Sequence, residues 1–268
     1  MDCKIVIGMP VYNEEAALPK LFVRLKQLRR HVGDSLHLCF VNDGSTDGTG
    51  SLLGEFVRTF PNATLLVHPE NRGLGEAMQT MLAHTARHFC GADILITLDA
   101  DNTHSPELVP AMVRKLRDER LELVIASRFT PGGIERGVPF LRKLYSRGAR
   151  LFFKLLFPIP GVNDYSSGFR AYTVQIIQKA FQHYGGNVVT SKGFACTAEI
   201  IARLGQIGVK AGELPLRLDY DLKEGRSKMN VARTIVGYFR LIRAVKYTSA
   251  RTEPEVSAWI ERNGEGGA

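Results

Sequence analysis

Apolar positions along the chain fall into two alternating rhythms. Short unbroken apolar runs are followed by stretches in which Leu, Phe or Val recurs every three or four positions. The runs read as buried strands: Ile5-Val6-Ile7, Leu36-His37-Leu38-Cys39-Phe40-Val41, Ala63-Thr64-Leu65-Leu66-Val67, Leu95-Ile96-Thr97-Leu98, and Leu121 to Ala126. Between them Leu18, Leu21, Leu25 and Leu28 mark one helix, and Leu52, Leu53, Phe56 and Val57 a second. The Asn71-Arg72-Gly73-Leu74-Gly75 stretch opens a third, and Ser105-Pro106-Glu107 starts a fourth with Pro in its first turn. Strand–helix alternation with short loops predicts an α/β fold with a mostly parallel central sheet flanked by helices. In such sheets ligands bind beyond the C-terminal strand ends. Tyr12, Glu14, Asp43, Asp99 and Asp101 all fall at that edge.

After Ala126 the rhythm changes. Ser127-Arg128-Phe129 leads into a Gly-rich loop, and residues 139–158 follow as a predicted amphipathic helix. There Arg142, Lys143, Arg147, Arg150 and Lys154 recur beside Phe152, Phe153, Leu155, Leu156 and Phe157. This pattern suits a helix lying on a membrane interface; the plain alternative is a core helix with a basic edge. Asn163 to Arg170 forms a polar knot between apolar segments. Phe194 to Leu204 reads as a helix carrying Glu199 within its apolar face, and a buried carboxylate is costly unless paired or functional. Lys210 to Leu218 is a last extended segment. Residues 229–250 repeat the amphipathic pattern, with Val231, Ile235, Phe239, Ile242 and Val245 on one face, and 251–268 have the composition of a disordered tail.

Composition narrows the partners. The 35 Lys and Arg against 27 Asp and Glu give a net charge of +8. That favours phosphate-bearing partners or an anionic membrane surface. Nothing resembles a nucleic-acid-binding module. Cys3, Cys39, Cys90 and Cys196 are scattered, as expected of reduced thiols. No basic leader precedes the first strand, and no stretch has the ~20 apolar residues of a membrane span. The expectation is a cytoplasmic protein, free or peripheral on the cytoplasmic membrane face.

The sharpest chemical signal is Asp99-Ala100-Asp101 at the end of an apolar run. In an extended chain alternate side chains share a side, so both carboxylates would enter one crevice. Crowded carboxylates repel unless a cation lies between them. Mg²⁺ or Mn²⁺, with a diphosphate supplying further oxygens, is a natural solution; a solvated turn is the alternative.

Six motifs then occur in order: Pro10-Val11-Tyr12-Asn13-Glu14-Glu15, Asn42 to Asp47, Asn71-Arg72-Gly73, Asp99-Ala100-Asp101, Ser127-Arg128-Phe129, and Asp164 to Arg170. Together they resemble the family-2 glycosyltransferases, in particular the dolichol- or polyprenol-phosphate mannosyltransferase-like branch. The resemblance covers roughly Lys4 to Lys228. It implies a GT-A fold over residues 1–228, a nucleotide-sugar donor (GDP- or UDP-sugar), a divalent metal and a lipid phosphate acceptor. By the same resemblance Pro10, Tyr12, Glu14 and Asp43 would hold base and ribose, and Asp99 and Ala100 would line the nucleotide. Asp101 would bind metal on the diphosphate, with Asp99 and Thr103 as further ligands. Arg128 would face the donor phosphates, Arg142 and Ser146 the acceptor phosphate, and Lys228 would close on the donor. The chain departs from the family pattern at Thr103, where Gln is common, and at Leu222, where Arg is common.

The expected reaction is inverting displacement at the anomeric carbon. Asp101 and Arg128 are the catalytic candidates for a phosphate acceptor. For a hydroxyl acceptor a base is needed, and Asp164 and Glu199 are the candidates. A hydroxyl-directed family-2 enzyme and a non-catalytic nucleotide-binding protein are the alternatives.

Overall fold

The structure, a computed structural model, describes residues 3–138, 140–219, 237, 238 and 241; the side chains of 140–142, 145 and 219 are outside the description. Lys228 and the segments 229–250 and 251–268 therefore lie outside the described residues, apart from 237, 238 and 241.

The first half follows the predicted alternation. Strands β1 (Ile5–Val11), β2 (Leu36–Asp43), β3 (Ala63–His68) and β4 (Ile94–Thr97) alternate with helices α1 (Leu18–Val32), α2 (Thr49–Thr59) and α3 (Leu74–His88). Helix α4 (Val109–Asp118) and strand β5 (Leu123–Ser127) follow. Beyond them lie β6 (Ile134–Arg136), α5 (Phe140–Leu156), β7 (Arg170–Thr173), α6 (Val174–His183), α7 (Ala195–Gln206), β8 (Ala211–Pro215) and β9 (Arg217–Asp219).

Seven strands form one sheet in the order β3-β2-β1-β4-β7-β5-β8, and β6 pairs with β9 in a separate ribbon. Pairing is parallel except at β7, which runs antiparallel to both β4 and β5. This strand was not among those predicted, since Arg170-Ala171-Tyr172-Thr173 is a short run led by a charge. Its direction matters. Because β7 runs backwards, the knot that precedes it lies at the same edge as the C-terminal ends of β4 and β5. Arg170 is in register with Thr97 and Ile125.

The pleat divides the core. Ile5, Ile7, Met9 and Val11 face one cluster with the leucines of α1, Phe56 of α2 and Met112 of α4. Val6 and Leu95 face the other, with Met78 and Met81 of α3, Ile176 of α6, Ile200 of α7 and Phe153 of α5. Gly8 sits where a Cβ would lie 2.1 Å from Met81 Sδ, so its lack of a side chain lets α3 approach β1. Helix α5 buries Ala149 and Phe153 and exposes Leu144, Leu151 and Leu155.

Candidate active site

The loops after β1 and β2 are zipped together. Asn13 N–H donates to Ser45 Oγ (3.0 Å), Glu14 N–H to Thr49 Oγ1 (2.8 Å), and Thr46 N–H to Asn13 Oδ1 (2.8 Å). Asn13 takes a left-handed φ of 49°, which Asn tolerates better than most residues. Pro10, Tyr12 and Glu14 are half-buried along this seam.

Asp43 ends β2 with a buried carboxylate. It accepts from His68 Nδ1 (2.7 Å) and from the backbone N–H groups of Arg72 (3.0 Å) and Gly73 (2.8 Å). His68 in turn bonds Thr80 Oγ1 through Nε2 (2.9 Å). Gly75 N–H donates to Lys192 O (3.0 Å). A Cβ on Gly75 would lie 1.7 Å from Ser191 O, so only Gly allows this approach. The amides of Arg72, Gly73 and Gly75 thus bond within the protein, as befits a tight turn.

The Asp99–Asp101 loop departs from the extended geometry expected of it. Strand β4 stops at Thr97, and a turn begins at Ala100, so the turn rather than the pleat sets the second carboxylate. Ala100 is buried in the core, whereas the Asp99 side chain is 45% exposed. His104 Nδ1 lies 3.8 Å from Asp99 Oδ2 and accepts from Asp99 N–H (3.2 Å), and its ring stacks on Phe169. Asp101 Oδ1 accepts from Thr103 N–H (3.1 Å) and Thr103 Oγ1 (2.6 Å), so Thr103 orients Asp101 directly. Gly168 closes the other side, where a Cβ would lie 3.2 Å from Asp99 Oδ1. Thr97 Oγ1 donates to Gly168 O (2.6 Å) and holds the knot there. The sequence places Gly168 and Phe169 inside the Asp164 to Arg170 motif without a role of their own, and it does not single out His104, three residues past Asp101.

Arg128 and Asp164 form a saturated pair. Arg128 donates through Nε (2.9 Å), Nη2 (2.8 Å) and its backbone N–H (3.2 Å). Ser166 N–H, Ser166 Oγ and Ser167 N–H also bond Asp164 Oδ1. Glu135 Oε1 lies 3.7 Å from Arg128 Nη1. Burial pushes the Asp164 carboxyl up, but the Arg128 charge and hydrogen bonds outweigh it and hold it at about 2. Glu213 fixes the knot from β8 by accepting from the N–H groups of Asn163 and Asp164. That anchor, fifty positions away in sequence, had no local signal.

Glu199 on α7 is fully buried and equally committed. It accepts from Thr190 N–H, Thr190 Oγ1 (2.6 Å), Ser191 N–H (2.8 Å) and Arg203 Nε (3.0 Å). It therefore holds the loop that covers Gly73 and Gly75. Ser146 is buried and donates to Lys143 O within α5. Arg142 lies on the same helix, its side chain outside the description.

Hard oxygens from Asp99 and Asp101 suit a hard divalent cation, which commonly takes one or two carboxylates and completes its shell with substrate phosphate. No group of three or more His, Cys, Asp or Glu among the described residues has metal-holding geometry, so substrate oxygens would have to complete it.

Comparison with known proteins gives the family and the fold. The sequence model described as glycosyl transferase family 2 matches residues 6–187. Polyprenol monophosphomannose synthase of Mycolicibacterium smegmatis is 29% identical over 228 residues, spanning 85% of this chain and 81% of that one. Undecaprenyl-phosphate mannosyltransferase of Micrococcus luteus is 28% identical over 227 residues, spanning 85% and 88%. Glucosyl-3-phosphoglycerate synthase of Mycobacterium tuberculosis, crystallised with Mn²⁺, UDP and glucosyl-3-phosphoglycerate, superposes with a TM-score of 0.61. It is 20% identical and covers 90% of this chain and 80% of its own, a likeness of fold.

Proposed function

The chain belongs to glycosyl transferase family 2, and from that premise we propose that it moves a sugar from a GDP- or UDP-sugar to a polyprenyl-type lipid phosphate, with a divalent cation and with inversion. The observation that carries the acceptor class is the state of Asp164 and Glu199. Both are fully buried and ringed by donors, and Asp164 is held ionised far below neutral pH. Neither is placed to take a proton from a hydroxyl. A lipid phosphate is already ionised near neutral pH and needs no such base. The names of the two mannosyltransferase relatives, which specify polyprenol and undecaprenyl phosphate, support the same class.

In this reading Pro10, Tyr12 and Glu14 hold the base and ribose along the zipped seam. Asp43 serves the same pocket by fixing the 71–73 turn, and Ala100 lines it from the backbone side. Asp99 and Asp101 would hold Mg²⁺ or Mn²⁺, with Thr103 fixing Asp101. A bound cation supplies neutralisation of charge growing on the nucleoside diphosphate. Arg128 would face the donor phosphates from the same edge, its orientation set by Asp164. Arg142 and Ser146 would meet the acceptor phosphate, and Lys228 would meet the donor.

Helix α5 supports peripheral membrane contact. Leu144, Leu151 and Leu155, 58%, 63% and 74% exposed, recur at spacings of seven and four opposite buried Ala149 and Phe153. Exposed Arg147 and Lys154 flank them, which suits an anionic surface. No helix among the described residues is long and apolar enough to cross a membrane.

The test offers GDP- and UDP-sugars with Mn²⁺ to the protein, with polyprenyl phosphate in one arm and the uncharged polyprenol in the other. The expected result is nucleoside diphosphate release and lipid-linked sugar only in the phosphate arm. Equal transfer to the alcohol, or to water-soluble hydroxyl acceptors alone, would overturn the proposal.

A further inference from the structure

Asn102, which follows Asp101, is 1% exposed and takes a left-handed φ of 63°. Its side chain does not enter the crevice. Nδ2 donates instead to Ala17 O (2.8 Å), just ahead of α1, and Oδ1 is buried with no partner among the described residues. Its backbone carbonyl accepts from Arg24 Nη1 (3.2 Å), one helical turn and more along α1. The rest of the Arg24 guanidinium grips the same loop further on. Nη2 donates to Ser105 Oγ (3.1 Å) and Glu107 Oε2 (2.9 Å), and Nε to Glu107 Oε1 (3.3 Å). Burial raises the Glu107 carboxyl, but the Arg24 and Ser105 hydrogen bonds prevail and hold it at about 2, so this ion pair persists at working pH.

The other end of the device is equally tied. Glu14 O accepts from both Ala17 N–H (3.0 Å) and Leu18 N–H (3.1 Å). The loop after β1 and the loop after β4 are therefore joined through the first turns of α1. A left-handed backbone and an orphaned buried oxygen are local costs. A turn serving chain reversal alone would relieve both with Gly.

We infer that Arg24 and Asn102 form a strut that positions Asp101, and with it Asp99, for a divalent cation, by locking the loop after β4 to the start of α1. Neither residue touches the ligand; both act through the carboxylates, as outer-shell groups do at metal sites. This inference rests on the metal-dependent reading above.

The experiment titrates Mn²⁺ into the full chain with GDP or UDP present and no acceptor. Bound Mn²⁺ is followed by water-proton relaxation, with thermal melting run in parallel. The variants are Arg24→Met, Arg24→Lys and Asn102→Gly, the last keeping the left-handed turn while removing the tie to Ala17. Half-saturating Mn²⁺ is expected to rise roughly 10-fold in Arg24→Met and Asn102→Gly. Arg24→Lys recovers part of the loss, and binding of the nucleoside diphosphate without metal stays unchanged. If Arg24→Met does not fold, Glu107→Gln loosens the same guanidinium from an exposed position and shifts the Mn²⁺ curve in the same direction. A lower melting point with unchanged Mn²⁺ half-saturation overturns the strut and leaves the metal reading standing. A parent protein that binds no Mn²⁺ under these conditions overturns the metal reading itself, and the strut with it.

Discussion

The acids of the Asp99–Asp101 loop and those at Asp164 and Glu199 look alike in sequence, each bordering an apolar run. In the fold they part. Asp164 and Glu199 are fully buried, and each is surrounded by backbone amides, hydroxyls and one arginine of its own. Asp99 is nearly half exposed at the sheet edge, between Gly168 and His104. A carboxylate buried among its own donors fixes loops, and one exposed at the sheet edge can be reached by a ligand. The difference lies in the donors that the surrounding loops bring, not in the acids themselves.

Removing a charge from each region should therefore fail in different ways. The largest effect is expected for Asp101→Asn. Transfer should fall on the order of 10³-fold with the fold intact, since several kcal/mol of leaving-group stabilisation would be lost. Nucleoside diphosphate release and far-UV circular dichroism check this together. Asp164→Asn should reverse the pattern. Breaking a buried pair costs about 3–5 kcal/mol of stability, read as a lower denaturant midpoint. Activity per folded molecule should stay within about tenfold, whereas loss of a general base would remove roughly 10²–10⁴. A loss in that upper range, with folding intact, would turn the acceptor assignment toward a hydroxyl.

Glu199→Gln should be milder. The amide keeps the shape but turns a donor toward Thr190 and Ser191, leaving buried groups unsatisfied at roughly 1–3 kcal/mol. Its effect on the donor is expected in KM, through the loop over Gly73 and Gly75, rather than in kcat.

Acid should separate the regions most gently. Burial, then the neighbouring His88 and Arg87 charges, lowers His84 from 6.5 to about 4 in the folded chain. The unfolded chain takes up that proton first, so stability is full above pH 6.5 and declines as pH falls toward 4. The Asp164 pair, held at about 2 against an ordinary 3.8, contributes stability above 3.8 that is lost only as pH falls toward 2. Melting temperature against pH should show two declines. His84→Leu should flatten the upper one, and Asp164→Asn the lower.

Much of this was legible beforehand because local periodicity is a direct consequence of burial. Leu18, Leu21, Leu25 and Leu28 share one face of α1, and the alternation of strands and helices placed Tyr12, Asp43 and Asp99 at one edge. The same residue pattern could not distinguish α5 as a core helix from an interfacial one. In the fold one face of α5 packs into the core at Phe153, and the opposite face stands exposed, Leu155 at 74%.

The sequence by itself determined the fold class, the edge at which the chemistry collects and the family, because these depend on periodicity and on motif order along the chain. Only the tertiary structure decided which acids are buried and which reach the surface of the site. Asp43 meets His68 and the 72–73 turn, Asp164 meets Arg128 and Glu199 meets the 190–191 loop only in the fold, whereas Asp101 is held locally by Thr103. The reversed strand β7, which brings the 163–168 knot beside Asp99, is fixed by its neighbours β4 and β5 and by no pattern of its own. Hydrogen-bond satisfaction is a property of what meets in space, and residues far apart in the chain carry no trace of it until they meet.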